Sequence, residues 1–277
     1  MPSIDSGRYK GVNAVPDKLD LYIELLEGLY NKYNRGEFVH PDPLEFLYSY
    51  DELADREIVA LIASLLAYGK VAQILKSVGA VLERMGPSPA EFLAASSDRS
   101  LVHELSGFKH RMTTGQDLAR VLEGAKRVIE RYGSLNACFV SGIRKGDETV
   151  IPALSSFVAE ISEESGGSCE FHLPSPDRGS ACKRLNLFLR WLVRKDEVDP
   201  GGWEGVPPSK LVVPLDTHMH KICFEHGLTK RRQADLRTAL EVTSRFREIT
   251  PDDPVKYDFA LTRLGIRDDA FSSHIPC

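Results

Sequence analysis

The chain has 277 residues, of which 42% are hydrophobic and 27% are charged, as in ordinary soluble globular proteins. Its five cysteines are scattered and form no CxxC pair, which argues against a disulfide framework, a zinc ribbon or an iron–sulfur cluster. No apolar stretch is long enough to cross a bilayer, and the start of the chain lacks the apolar core of a signal peptide. These features predict a cytoplasmic protein with no membrane anchor. We also expect a monomer without a cofactor or a metal.

The net charge of −5 is unevenly distributed along the chain. Residues 178–232 contain eleven Lys and Arg against six Asp and Glu, so this segment carries +5 and the remainder −10. A local basic surface on an acidic protein can still bind phosphates, because salt limits the reach of each exposed charge to about 10 Å. The composition therefore does not exclude nucleic-acid binding.

Helical periodicity dominates the first half of the chain. A helix is predicted after Asp17, with apolar residues from Tyr22 to Tyr33 on one face. Residues 56–86 read as a buried helix followed by an amphipathic one. A further apolar stripe runs from Leu118 to Tyr132, and Gly133 is placed to end that helix.

The second half is also predicted to be helical. Residues 134–143 and 149–164 read as two shorter helices, and Asp253 with Pro254 fit the N-cap and first residue of the last helix. The best strand candidate, KLVVPL at 210–215, is short and ends in proline. The sequence therefore predicts an all-α fold with about ten to twelve helices.

The stretch from 164 to 222 differs from the rest. A long loop at 164–180 leads into a helix that places apolar residues on one face and polar residues on the other. The polar residues of this helix are Lys183, Asn186, Arg190 and Arg194. A glycine- and proline-rich segment, 199–210, then precedes the string LVVPLDTHMHKI at 211–222.

Asp216 in this string has two simple interpretations. It fits the N-cap of a helix that ends at Gly227, a role that needs no chemistry. Alternatively, Asp216, His218 and His220 resemble the first metal motif of the amidohydrolases, which would make the protein a metal-dependent hydrolase. Only 61 residues follow Asp216 and they look helical, so a (β/α)₈ barrel could not be completed.

A third interpretation uses the whole of 178–222. The order of Gly179, then Lys183 four residues later, a Gly/Pro-rich loop and VVPLDTH resembles the helix-hairpin-helix DNA glycosylase superfamily. IASLLAYGKVAQI (62–74) and YDFALTRLGI (257–266) are similar to the helices that line the base pocket and close the fold. The 33-residue spacing between Lys183 and Asp216 is nearest to the archaeal 8-oxoguanine glycosylase branch. The chain also resembles a bacterial conserved domain of unassigned function.

The chain departs from the pattern of the superfamily in two features, and parts of the chain match nothing in it. The hairpin contains only Gly179 where the family commonly has two glycines, and the four-cysteine cluster of some members is absent. The resemblance covers roughly 56–265, and residues 1–55 and 134–175 match nothing in it.

The resemblance implies a base-excision glycosylase with lyase activity on damaged duplex DNA, such as DNA containing 8-oxoguanine. Lys183 is then expected to be the nucleophile that forms a Schiff base, and Asp216 its electrostatic and general-base partner. The neighbouring cations and partial burial are expected to favour loss of the lysine proton. The expected DNA-backbone contacts are Arg178, Gly179, Ser180, Arg184 and His218. The expected base-pocket residues are Tyr68, Lys70, Trp203 and Tyr257.

The same resemblance implies two helical subdomains with a cleft between them. Residues 1–55 would pack with 235–277 as one subdomain, and 56–234 would form a bundle carrying the Lys183 helix and the Asp216 loop. A non-catalytic helical nucleic-acid-binding protein remains an alternative to the enzyme, as does the metal-dependent hydrolase.

Overall fold

A computed structural model describes residues 18–165 and 171–267, and these residues form an all-α fold. The helices are α1 (Lys18–Tyr33), α2 (Leu53–Leu65), α3 (Val71–Met85), α4 (Pro89–Ala95), α5 (Asp98–Glu104), α6 (Gly115–Tyr132), α7 (Leu135–Ser141), α8 (Ile151–Glu164), α9 (Lys183–Val193), α10 (Thr217–Glu225), α11 (Leu236–Ile249) and α12 (Asp258–Arg267). Short 3₁₀ helices lie at Gly36–Phe38, Pro43–Ser49, Pro176–Arg178 and Pro208–Lys210. The prediction of an all-α protein is confirmed.

Local signals in the sequence explain most helix ends. Thr114 and Asp117 form a reciprocal capping box at the start of α6, and Gly133 ends this helix in the left-handed conformation with φ of 93°. The end predicted at Gly133 is therefore confirmed. The predicted cap at Asp17 lies outside the described residues.

The helix α2 forms the centre of the core. Its residues from Glu57 to Leu65 are all buried, in keeping with its nearly continuous apolar sequence. It packs against α9, α4 and the 3₁₀ segment Pro43–Ser49. Because α9 lies directly against α2, the start of α9 at Lys183 comes next to the carboxyl end of α2.

The helices α6 and α8 approach so closely at Gly124 that only glycine fits. A Cβ atom there would lie 2.3 Å from the carbonyl oxygen of Ile161 on α8. Gly28, in the exposed part of α1, has nothing within 4 Å of the same position. The two glycines therefore offer a matched pair for testing the packing.

We expect Gly124→Ala to lower the free energy of unfolding by about 1–3 kcal/mol, because the added methyl group pushes two packed helices apart. Gly28→Ala should raise it by about 0.5–1 kcal/mol, because alanine restricts the unfolded chain and no atom opposes it in the helix. Urea denaturation of both variants measures these changes. Equal effects of the two substitutions would contradict the α6–α8 contact.

One predicted helix start was wrong, and the short strands of the structure lie elsewhere than at the best strand candidate. The last helix begins at Asp258 rather than after Asp253, whose carboxylate instead pairs with Arg194. KLVVPL is not a strand in the structure. A two-stranded antiparallel hairpin, which was not predicted, joins β1 (Lys109–His110) to β2 (Thr113–Thr114).

The amino-terminal helix α1 packs against α12, and the division of the chain into two subdomains stays a prediction. Lys256 and Tyr257, just before α12, both contact Glu27 on α1. The 3₁₀ segment Pro43–Ser49, also within the predicted first subdomain, packs instead on α2 and α3. No helix in the described ranges, 18–165 and 171–267, is both long and apolar enough to cross a membrane.

Candidate active site

A strained turn places Lys183 at the start of α9. The 3₁₀ helix Pro176–Arg178 ends at Gly179, whose φ is 80°. Cys182, the residue before Lys183, has a φ of 48°, a left-handed conformation that is unusual for any residue except glycine. The side chain of the N-cap residue, Cys182, makes no capping hydrogen bond to α9, and the positive end of the helix dipole lies at Lys183.

Asp216 begins α10 and serves as its N-cap. One carboxylate oxygen, Oδ1, accepts a hydrogen bond of 2.8 Å from the backbone N–H of Met219. The preceding residues 211–215 are buried, and the N–H of Val213 in this segment is bound by the hydroxyl of Thr243. The capping interpretation of Asp216 is confirmed, but it occupies only one of the two carboxylate oxygens.

The second oxygen of Asp216 faces the Lys183 amine. Oδ2 lies 3.5 Å from Nζ of Lys183, although 33 residues separate them in the chain. The Lys183 side chain is 29% exposed and that of Asp216 is 36% exposed. The same amine lies 3.5 Å from the carbonyl oxygen of Ala67, just beyond α2. The structure therefore brings together, at a partly open site, the amine and the carboxylate that the sequence singled out.

Such a pair can do nucleophilic chemistry. A lysine amine attacks an electrophilic carbon once it has lost a proton, and a carboxylate within ion-pair distance can accept that proton directly or through one water. The carboxylate also stabilises positive charge that develops on a substrate beside it. Both functional groups sit at helix N-termini, which favours a bound anion such as a phosphate.

Tyr68 lies beside this pair and is held firmly. Its hydroxyl donates to the carbonyl oxygen of His110 at 2.8 Å and lies 2.6 Å from the hydroxyl of Thr113, so the β1–β2 hairpin fixes the phenol. The guanidinium of Arg184 lies 5.3 Å from the centre of the Tyr68 ring. Tyr68 thus has a place in the site, and its role as a base-pocket residue stays a prediction.

Arg184 is a cation without a carboxylate partner among the residues that the structure describes. Its guanidinium donates to the backbone oxygens of Leu65, at 2.9 Å, and Phe171. Burial lowers the pKa of Arg184 below its usual value. A partly buried cation that contacts carbonyl oxygens and aromatic rings but no carboxylate can bind an anion. Its contact with a DNA phosphate stays a prediction.

The other predicted backbone contacts lie near the α9 turn. Arg178 and Gly179 are exposed, and Ser180 is half-buried, where its hydroxyl accepts a hydrogen bond from the N–H of Cys182. His218 is the second residue of α10, and its Nε2 is buried without a hydrogen-bond partner in the described part of the chain. Contact of these residues with DNA stays a prediction.

Two predicted base-pocket residues are placed elsewhere. Trp203 is 5% exposed and packs against Phe139 and Phe188. Its backbone N–H binds the carbonyl of Leu192, which is about 14 Å along α9 from Lys183 at 1.5 Å per residue. Trp203 is therefore a core residue at the far end of α9.

Tyr257 is also part of the core. It is 1% exposed, its hydroxyl donates to Glu27 at 2.6 Å, and its ring meets Tyr30 edge to face. It joins α1 to the start of α12 and offers no ring face to a base. Lys70, by contrast, is exposed at the start of α3, two residues after Tyr68.

One buried residue next to the pair was not singled out from the sequence. Asp258, 4% exposed at the start of α12, forms an ion pair with Arg190 on α9. Burial raises the pKa of the Asp258 carboxyl to about 6, the Arg190 guanidinium opposes the rise, and the Asp216 carboxylate adds to it. Asp258 is thus an electrostatic neighbour of Asp216. The sequence signal was YDFALT itself, in which an acidic residue interrupts an apolar helix.

The two histidines of the metal interpretation do not converge. His220 binds the carbonyl oxygen of Arg231 through Nε2 at 2.9 Å, while Asp216 caps the helix. No group of three or more His, Cys, Asp or Glu that could hold a metal ion occurs within residues 18–165 and 171–267. No specific observation in the structure favours the metal-dependent hydrolase.

Comparison with known proteins identifies one family. Residues 42–267, more than four fifths of the chain, match the family described as "Protein of unknown function (DUF2400)". The chain belongs to the DUF2400 family. No curated protein and no solved structure matches it. The DUF2400 region contains α2 to α12, and therefore Lys183, Asp216, Tyr68 and Asp258, whereas α1 precedes it.

Proposed function

We propose that this DUF2400 protein is a DNA glycosylase with lyase activity that removes an oxidised purine such as 8-oxoguanine. The observation that carries the proposal is the 3.5 Å approach of Asp216 Oδ2 to Lys183 Nζ across two helix starts. The desolvated Arg184 beside the pair supports a phosphate-bearing substrate. We further propose the two-subdomain architecture of the helix-hairpin-helix glycosylases, and action as a cytoplasmic monomer.

The proposed reaction assigns a step to each member of the pair. Asp216 accepts a proton from the Lys183 ammonium, and the free amine attacks C1′ of the damaged nucleotide. The C1′–N bond breaks, and its electron pair leaves with the base, which takes up a proton. Nζ then gives up one proton, the C1′–O4′ bond breaks with its electron pair and a proton going to O4′, and a protonated imine forms between Nζ and C1′. Loss of a proton from C2′ then expels the 3′-phosphate and cleaves the strand.

An imine intermediate can be trapped. Borohydride reduces it to a stable amine, so wild-type protein mixed with an 8-oxoguanine-containing duplex should become covalently linked to the DNA. Lys183→Gln should lose the adduct completely while binding the same duplex with unchanged affinity. The readouts are a gel shift under denaturing conditions for the adduct and fluorescence anisotropy for binding.

Lys195→Gln is a matched control, because Lys195 is an exposed lysine just beyond the far end of α9 from Lys183. It should form the adduct at the wild-type rate. An adduct that survives in Lys183→Gln would contradict the assignment of the nucleophile. DNA binding without any adduct, across a set of damaged bases and an abasic site, would favour the non-catalytic nucleic-acid-binding protein.

A further inference from the structure

An unusual group of exposed apolar side chains surrounds Tyr68. Among the described residues, seven large apolar side chains are exposed, and three of them, Val71, Met112 and Phe171, belong to segments that meet at Tyr68. Val71 begins α3 just after Tyr68, and Phe171 meets the Tyr68 ring edge to face at 5.8 Å. Met112, in the turn of the β1–β2 hairpin, is 71% exposed. Exposed apolar side chains that lie on neighbouring segments are typical of an interaction surface.

Cations alternate with these apolar groups. Lys70 precedes Val71, Arg111 precedes Met112, and the guanidinium of Arg184 lies 5.3 Å from the ring of Phe171. Within the described part of the chain, none of these three cations has a carboxylate within ion-pair distance. We call this set the Tyr68 rim. It consists of Lys70, Val71, Arg111, Met112, Phe171 and Arg184.

The rim is held in place by its backbone and by Tyr68. The hairpin pairs His110 with Thr113, and both bind the Tyr68 hydroxyl. Arg111 lies so close to Gly69 that a Cβ atom there would be 2.9 Å from Cδ of Arg111. The exposed side chains are therefore presented by a fixed scaffold.

We propose that the Tyr68 rim binds an unpaired stretch of nucleic acid, with a base stacked on Phe171, apolar contact from Met112 and phosphates bound by Lys70 and Arg111. Surfaces that bind single strands combine a cationic track with aromatic side chains on which bases stack. A paired duplex hides its base faces and presents only phosphates, so it would leave the apolar residues of the rim in water. The inference rests on the proposed nucleic-acid substrate and narrows it to DNA whose bases near the lesion are unpaired.

Binding of undamaged DNA tests this inference without any catalysis. We expect a single strand, or a duplex containing a short bubble, to bind at least about fivefold more tightly than the fully paired duplex of the same sequence, since stacking strengthens binding substantially for each base. The double variant Met112→Ala/Phe171→Ala should lose this preference and bind all three alike. Leu21→Ala/Val102→Ala, which removes two exposed apolar side chains elsewhere, should behave as wild type.

The cations are tested by salt dependence. Lys70→Gln/Arg111→Gln should reduce the slope of log affinity against log salt for the single strand by about 1.4, which is about 0.7 for each phosphate that is no longer neutralised. Tighter binding of the paired duplex, or a preference that survives Met112→Ala/Phe171→Ala, would overturn the inference. So would binding to vesicles of phosphatidylcholine and phosphatidylserine in the absence of any DNA binding.

Failure of the inference is distinguishable from failure of the proposed function. Wild type and the Met112→Ala/Phe171→Ala variant could form the Lys183-dependent borohydride adduct equally well on paired and on bubble DNA. That result would overturn the inference about the rim and leave the proposed glycosylase unaffected. The protein could instead prefer single strands through the rim but form no adduct. That result would overturn the proposed glycosylase activity and retain the rim as a nucleic-acid-binding surface.

Discussion

Asp216→Asn is expected to slow base release about 100- to 10,000-fold without lowering the stability of the protein. An uncharged amide cannot accept the proton of Lys183 or stabilise positive charge on the sugar, and general-base catalysis commonly contributes a factor of this size. Asparagine caps a helix about as well as aspartate, so the bond to the N–H of Met219 is retained. Single-turnover kinetics with saturating protein and thermal unfolding measure the two quantities.

A second substitution at the same position separates catalysis from capping. Asp216→Ala should be as slow as Asp216→Asn, and it should also lose about 1 kcal/mol of unfolding free energy because α10 loses its cap. If Asp216→Asn releases the base at nearly the wild-type rate, the carboxylate has no catalytic role and Asp216 is only a helix cap.

Arg190→Met is expected to lower the free energy of unfolding by about 3–5 kcal/mol, because it leaves carboxylates buried without their partner. Arg190 is 3% exposed and pairs with both Asp199, which is fully buried, and Asp258. Arg194, one turn further along α9, pairs with Asp199 as well, so the substitution removes half of the positive charge at the centre of this network. Urea denaturation gives the change.

The loss of unfolding free energy in Arg190→Met should become smaller as the pH falls. Burial already raises the pKa of Asp258 to about 6, and removing the Arg190 cation must raise it further. A carboxyl whose pKa is higher in the folded state binds a proton on folding, so the variant should gain stability as the pH falls from about 7 to about 5. Arg245→Met, which breaks an exposed pair with Glu248, should cost less than about 1 kcal/mol and show no such recovery. A similar cost for both substitutions would contradict the buried network.

Much of the fold could be predicted because its signals are local. The apolar stripe of α6, its capping box and the glycine after it lie within twenty residues, and each follows from backbone geometry. The same holds for Asp216, where the capping pattern is contained in four residues. The contact between Lys183 and Asp216 joins two residues that are 33 positions apart in the sequence. It was inferred from a resemblance to a known family, and no periodicity in the sequence indicates it.

The polar face of α9 shows why the remainder could not be predicted. Spacing alone places Asn186, Arg190 and Arg194 together, but a polar face normally meets water, whereas this one is buried. The carboxylates that allow its burial come from residues 199, 253 and 258, which only the tertiary fold brings to α9. Trp203 is expected in the base pocket but lies in the core for the same reason. Nothing in the sequence of a glycine-rich loop indicates which end of α9 its aromatic residue will pack against.

The most direct test locates the covalent bond itself. Wild-type protein is reduced with borohydride on a duplex containing 8-oxoguanine, the adduct is digested, and mass spectrometry identifies the modified residue. Attachment of the sugar remnant to Nζ of Lys183 is the predicted result. Attachment to Lys70 or another amine, or no attachment on any damaged base or abasic site, would contradict a catalytic role for the Lys183–Asp216 pair.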